Sequence, residues 1–379
     1  MTRRPTALAA ALAAMLALGA GAASAKPVPH VKHVFIIVLE NKDRNRTFGK
    51  HTQVPFLAHR LRNRGAYLPN YYGIAHESAP NYLAMISGQA PNPDTQADCQ
   101  VYSDFMPGTP TSGGQYIGQG CVYPPGVETI ANQLEDSGFK WKGYMEDMNA
   151  DAPPGKQDPC RHPSANAHDD TQSAEPGDQY AARHNPFVYF HAITDFPTCK
   201  HHDVDFSHLR HDLRHRGTTP NYSFIVPNLC HDGHDHPCVN GRPGGLKSAN
   251  KWLKKKVPRI LHSPAFKHRG LLIVTFDEAE APPGEQSGTD ARACCNEQPG
   301  PNTPNPGGPI PGPGGGKVGA VLVSPCIKPR TVSKVPYNHY SMLRSIERNF
   351  HLPFLGYAGP HGLRPFGRDV LNRRACRRR

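Results

Sequence analysis

Four short clusters of oxygen and imidazole side chains are spread along the chain, and their types suit the chemistry of a phosphate ester. Glu40-Asn41 and Asp277-Glu278 each close a long apolar run. A carboxylate beside a carboxamide, or two adjacent carboxylates, presents hard oxygen donors to a divalent cation. The run His76-Glu77-Ser78-Ala79-Pro80-Asn81-Tyr82 puts a serine just ahead of a proline at the start of the apolar stretch Leu83–Ile86. That reads as a helix N-terminus, where the serine can act as a plain cap or can sit among unpaired backbone N–H groups able to hold phosphate oxygens. A neighbouring cation would lower the serine pKa and make it a nucleophile. The last cluster is scattered: His184 in His-Asn-Pro, Asp232 and His234 in Asp-Gly-His-Asp, and His339 in Tyr-Asn-His-Tyr. With 22 histidines in the chain, most are surface residues; nearness to strand ends singles out these three.

Positioning such clusters together requires a rigid scaffold. His33–Leu39 and Gly270–Phe276 are continuous apolar runs, the pattern of parallel strands buried on both faces, and Val318–Val323 and Tyr222–Val226 are shorter ones. Amphipathic helices are expected over Val127–Ser137, Leu246–His262 with a kink at Pro258, and Tyr340–Phe350. Strands alternating with helices indicate an α/β fold, a mostly parallel central sheet flanked by helices on both faces. Its sites belong at the carboxyl ends of the strands, where Glu40 and Asp277 fall. Pro107–Pro125 and Pro282–Gly316 are dominated by Gly, Pro, Ser, Thr and Asn and read as long surface loops.

The first 25 residues, with Arg3 and Arg4 ahead of an Ala- and Leu-rich run and Ala23-Ser24-Ala25 at its end, have the form of a cleaved secretory signal. Residues 26–372 then form one catalytic domain, and 373–379 a basic, solvated tail. A secreted or periplasmic location follows, with no stable membrane anchor. Ten cysteines in an oxidising compartment are expected to be paired, Cys99 with Cys121 and Cys230 with Cys238 being the nearest candidates. No pair of CxxC motifs points to a cysteine zinc site. Cys294 or Cys295 is expected to tether the Pro282–Gly316 loop. The net charge of +12 favours acidic partners. No nucleic-acid partner is expected, because the basic tail lacks interleaved aromatic residues. Nothing in the sequence signals an oligomeric state.

The ordered set ENK, HESAPNYLAMISG, YMED, HNPFVYF, PNLCHDGHD, TFDE, VLVSP and YNHYSMLRSIERNF resembles the bacterial phosphoesterase family of secreted acid phosphatases and phospholipases C, within the alkaline phosphatase superfamily. The resemblance runs from about His33 to Ala358 and implies an alkaline-phosphatase-like fold. It implies a divalent metal cation held by Glu40, Asn41, Asp277 and Glu278. Ser78 is then the nucleophile, with His76 and His184 in phosphate binding or proton transfer, and Asp232, His234 and His339 at phosphate or a second metal. The donor set selects no particular ion, since oxygen ligands accept several hard cations and imidazole widens the choice. The substrate implied is a phosphate ester, a small molecule or a phospholipid headgroup. The first reading is a phosphomonoesterase of acid phosphatase type, the alternative a phospholipase C or other phosphodiesterase, and the remote one a non-catalytic secreted metal-binding protein. The charged run Asp43–Thr47 and the long loop after Glu278 depart from the family pattern and bear on substrate preference.

Overall fold

Apolar strands seven residues long must bury both faces, and the sheet is ordered accordingly. The structure, a computed structural model, describes residues 28–153, 155–280, 288–359, 362–373 and 376; the signal segment and most of the basic tail lie outside these. His33–Leu39, buried at every position, pairs in parallel with Gly270–Phe276 on one side and Tyr222–Val226 on the other. The full order across the eight-stranded sheet is Thr331–Val332, Ala66–Leu68, Ala320–Val323, Gly270–Phe276, His33–Leu39, Tyr222–Val226, Trp141–Met145 and Asp203–Asp205. The sheet is mostly parallel. The expected Val318–Val323 strand begins at Ala320 and runs antiparallel to both of its neighbours. Among the described residues of the Pro/Gly-rich excursion from Gly270–Phe276 there is no crossover helix, and a parallel return would require such a crossover.

The three expected helices form. Thr129 caps Ile130–Asp136 in a capping box with Asn132, and Asn338 caps His339–Phe350 through Ser341 N. Gly245–His262 continues without a break through Pro258, burying Leu246, Trp252, Leu253, Val257 and Ile260 on one side. The expected loop Pro107–Pro125 contains a short hairpin, Met106–Pro110 with Tyr116–Gln119, whose base is closed by the Cys99–Cys121 disulfide. Local hydrogen bonding across Thr111 and Gln115 supplies that turn, a signal that Gly and Pro content concealed.

Cys230–Cys238 also forms, with Cys160–Cys199 and Cys326–Cys376, and no described cysteine is free. The tether expected of Cys294 or Cys295 is absent because the two neighbours pair with each other. Hydrogen bonds hold the loop instead. Asn302 bridges Gly118 N and Tyr116 O at 2.9 and 2.8 Å, Gln96 donates to Asn305 O at 2.7 Å, and Ala279 N donates to Gly315 O at 2.8 Å. Gly315 is needed there: a Cβ would lie 2.2 Å from Ala75 O. At the carboxyl end, Arg373 N donates to Cys326 O at 3.1 Å and Cys376 is bonded to Cys326, so the chain is still tied to the body beyond residue 372.

Within the helix His339–Phe350, Glu347 is wholly buried and accepts Leu355 N at 2.8 Å, while its Oε2 has no partner. Burial raises its pKa from 4.5 to about 8. The folded state therefore binds a proton that the unfolded state releases above about 4.5, and this stabilisation is full below 4.5 and is lost as pH rises through about 8. Glu347→Gln should flatten that portion of the melting temperature's dependence on pH. Thermal melts of both proteins across the interval check it; an unchanged slope would place the titration elsewhere.

Candidate active site

The central strand ends where its neighbours do, and two backbone hydrogen bonds continue the ladder past it. Asp277 N donates to Leu39 O at 2.9 Å, and Glu40 N donates to Asp232 O at 3.0 Å. These bonds bring Glu40, Asp232 and Asp277, far apart in sequence, to one edge. Asn41 turns into the left-handed region at φ 52°, and its N–H donates to Asp277 Oδ1 at 2.9 Å. All three acids are fully buried.

Onto this edge the helix Ser78–Ser87 projects its first turn. Asn81 fixes the approach: its Oδ1 accepts Ile74 N at 2.8 Å and Ala75 N at 3.2 Å, and its Nδ2 donates to Ala75 O and Glu77 O. Ser78 Oγ donates to Glu40 Oε2 at 2.7 Å. One turn on, Tyr82 OH donates to Glu40 Oε1. The cap differs from expectation. Glu77, at φ 68°, is the N-cap and Ser78 is the first helical residue. Ala79 N–H is taken by Asp98 Oδ1 at 2.8 Å, and Pro80 has none, so the helix end offers fewer free donors than the sequence pattern suggested.

The histidines divide into three environments. His184 stacks on Tyr82 at 5.2 Å between ring centres. Its Nε2 lies 3.4 Å from Glu40 Oε2 and its Nδ1 3.8 Å from Asp232 Oδ2. His76 Nδ1 meets Glu278 Oε2. His339 stands behind the cluster: Nε2 contacts Asp277 O at 2.6 Å and Nδ1 contacts Tyr71 OH at 3.2 Å, so both ring nitrogens are engaged. His234 lies at the rim, with its N–H on Asp232 Oδ1 and its ring on Asp235.

Burial governs the charges. It pushes the pKa values of Asp232, Asp277 and Glu278 well above the carboxylate range, and the Glu40 charge pushes each further. His184 is held well below its usual value by burial and then by Arg183 and His234, while burial lowers His76 and His339 to about 4. Burial thus disfavours, on His184, His76 and His339, the positive charge that a phosphate site first suggests. Among buried polar atoms without a partner are Asn41 Oδ1, Asp232 Oδ2, Asp277 Oδ2, His76 Nε2 and His184 Nε2. These five atoms, oxygen and imidazole, are of the types that ligate a divalent cation, which would compensate the charge that burial otherwise forbids. Among the described residues, the group of three potential ligand atoms lying mutually within 4.8 Å is Cys160, Cys199 and Asp203. Its sulfurs share a disulfide and cannot act as thiolates.

Four neighbours escaped the sequence reading. Tyr82 follows Ser78 by four positions, the spacing that places both on one helix face. Arg183, adjacent to His184, lies 3.3 Å from Asp98 Oδ2; burial opposes its charge, but Asp98, Glu40 and Asp232 raise its pKa overall. Glu77 is pushed up to about 7 by burial and Asp98. Lys42 is buried with Nζ on Asn41 O at 2.8 Å. Only Tyr82 carried a legible signal, its helical spacing.

A profile of the Phosphoesterase family matches residues 50–353, most of the chain. The chain belongs to that family. It is 25% identical over 300 residues to a phosphate-repressible acid phosphatase of Penicillium chrysogenum, covering 78% of this chain and 55% of that protein. It is 26% identical over 328 residues to a probable acid phosphatase of Kluyveromyces lactis, covering 86% and 59%. The chain therefore spans somewhat over half the length of these fungal relatives. It is also 24% identical over 335 residues to a phosphatidylinositol-3-phosphatase of Mycobacterium tuberculosis, covering 88% and 82%. The fungal relatives correct the expectation of a bacterial family, which was too narrow. Among solved structures, a Vibrio parahaemolyticus protein in the alkaline phosphatase superfamily is similar with a TM-score of 0.48 and 14% identity, covering 91% of this chain and 73% of that one.

Tyr82→Phe removes one of two donors to a buried carboxylate and leaves Glu40 Oε1 without a partner. The expected loss is about 1–3 kcal/mol of folding stability, read from the denaturant midpoint of the variant against the parent.

Proposed function

We propose that this phosphoesterase-family chain is a secreted, metal-dependent phosphomonoesterase that uses Ser78 as its nucleophile. The observation that carries this reading is Ser78 Oγ seated 2.7 Å from Glu40 Oε2, on the first turn of a helix that faces a buried edge of carboxylates. The names of the relatives, acid phosphatase and phosphatidylinositol-3-phosphatase, favour a monoester over a diester. Five disulfides favour export.

Glu40, Asn41, Asp277 and Glu278 would hold the cation, with Asp232, His184 and His76 next to them. The cation, when bound, neutralises non-bridging phosphate oxygens and lowers the pKa of a hydroxyl beside it. Glu40 Oε2 accepts the Ser78 hydroxyl and orients Oγ for in-line attack on phosphorus. Tyr82 holds the opposite oxygen of the same carboxylate, so Glu40 cannot rotate away. The Ser78 Oγ–P bond forms as the ester P–O bond breaks, the hydroxyl proton passing through Glu40 Oε2 to water and the departing alkoxide taking a proton from water; a second water then releases phosphate from the phosphoserine. His184 and His76, each with an unpartnered Nε2, stand beside these groups as the residues for phosphate contact or proton transfer. His339 acts on Asp277 through its backbone carbonyl and is a positioning residue. Its location behind the acids leaves phosphate contact to the other histidines.

Ser78→Ala should remove at least about a thousandfold of phosphomonoesterase activity and leave the fold intact. Near-normal release of p-nitrophenol from its phosphate monoester, or phosphate trapped on a different residue, would sink the covalent route. Removal of the metal by exhaustive chelation, verified by elemental analysis, should abolish turnover, and Asp277→Asn should weaken re-binding of the cation in direct metal titration. Full activity of verifiably metal-free protein would make the acids structural.

A further inference from the structure

The charge of this protein is segregated. Between Arg44 and Arg64 the chain has six Lys or Arg and no Asp or Glu, and between His236 and Phe276 it has nine and none. The two segments are neighbours in space: Phe56 N donates to Asn250 Oδ1 at 2.9 Å. The second contains the 18-residue helix Gly245–His262, about 27 Å long at the usual rise. Its apolar side is buried, while Lys247, Lys251, Lys254, Lys255, Arg259 and His262 are exposed. Their spacing puts them along one face. The exception is Lys256, which turns inward to Glu146 at 3.6 Å and over the rings of Phe206 and Trp252.

A second observation lies where the two segments meet. A cavity of about 410 Å³ is lined by Arg64 from one, by Leu261, Phe266 and Lys267 from the other, and by Ile327 and Arg373. The apolar members are buried and the cations are exposed or half-exposed. None of its described lining residues is acidic. An apolar floor under a cationic rim fits a molecule that is anionic at one end and apolar next to it.

We infer that this basic face is a docking surface for an anionic lipid bilayer, with the cavity receiving an anionic headgroup and the apolar part joined to it. Lysines in a row along a helix act as point charges toward a negative plane, at roughly fivefold in binding for each lysine near the surface. The two segments have no exposed Phe, Tyr or Trp ring on which a base could stack, which favours lipid over a single-stranded nucleic acid. No helix among the described residues is long and apolar enough to cross a membrane, so the attachment is peripheral and reversible. The helix leaves from the Asp232 loop: a Cβ on Gly233 would lie 3.8 Å from Ala249 Cβ. A bilayer held on this face therefore keeps the strand-edge carboxylates within about one helix length of the headgroups.

The test is co-sedimentation of the mature chain with vesicles of phosphatidylcholine alone or with about 30% phosphatidylglycerol, at about 0.02 M and about 0.5 M salt. Binding is expected only to the anionic vesicles and only at low salt. The double variant Lys251→Glu/Lys255→Glu should lower that partition at least about twentyfold. Lys156→Glu/Lys200→Glu, an equal change of charge elsewhere on the surface, should alter it by less than about twofold. Equal losses in the two variants would reduce the effect to net charge and overturn the face assignment. No partition into anionic vesicles, or tight binding of duplex DNA without vesicle binding, would overturn the lipid assignment. Circular dichroism verifies the fold of each variant. The assay needs no catalysis, so a failed hydrolase reading leaves its result intact.

Discussion

Mutual repulsion among buried carboxylates is the constraint around which this molecule is arranged. Glu40, Asp232, Asp277 and Glu278 occur at one edge of the sheet with almost no solvent, a placement that costs several kcal/mol for each charge left uncompensated. The surrounding groups answer it with directed donors. Ser78 and Tyr82 address the two oxygens of Glu40, Asn41 N–H addresses Asp277, and the N–H of His234 addresses Asp232. Some oxygens and ring nitrogens are left over, and Ser78, the nucleophile of the proposed reaction, is one of the donors aimed at the cluster. Support of the acids and placement of Ser78 are the same interaction.

That interaction depends on parts of the chain with little apolar character of their own. The Pro/Gly-rich segment after Glu278 packs its backbone against Gly73 and Ala75, ahead of the helix Ser78–Ser87, and Asn302 pins it to the hairpin at Tyr116. Close backbone approach demands glycine: a Cβ on Gly73 would lie 2.6 Å from Asp277 O. The loop is thereby fitted to the site by hydrogen bonding and small residues, while the disulfides outside it constrain the periphery. The acidic interior contrasts with the basic exterior. Four acids sit at the strand ends, where burial makes each charge consequential, and the cations of Gly245–His262 remain in water, where they cost little and act at longer range.

Much of the scaffold could be read from the chain because it depends on local rules. Continuous apolar runs are buried strands, and His33–Leu39 and Gly270–Phe276 match their expected limits. Amphipathic periodicity located the helices that begin at Ile130, Gly245 and His339 to within three residues. Strand-end polar residues located Glu40 and Asp277, since the ends of parallel strands meet wherever the strands pair. Direction was less accessible: Ala320–Val323 has the composition of its parallel neighbours yet runs the other way, because direction depends on the connection and not on the strand. Cys294 and Cys295 were equally open, as each could pair with any thiol brought near it.

Residue types and their order were enough to establish an α/β chain of the phosphoesterase kind and to single out Glu40, Ser78 and Asp277, because burial, capping and ligand hardness are properties of short segments. Only the folded chain decided which groups touch. It put Tyr82 on Glu40, Asp98 on the Ala79 N–H that the sequence pattern had left for phosphate, and His339 behind Asp277. It also decided that burial lowers the pKa of three histidines and that Arg183 lies within reach of the acids. These are consequences of desolvation and of contacts between residues tens to hundreds of positions apart, and neither quantity exists until the sheet has brought its strand ends together.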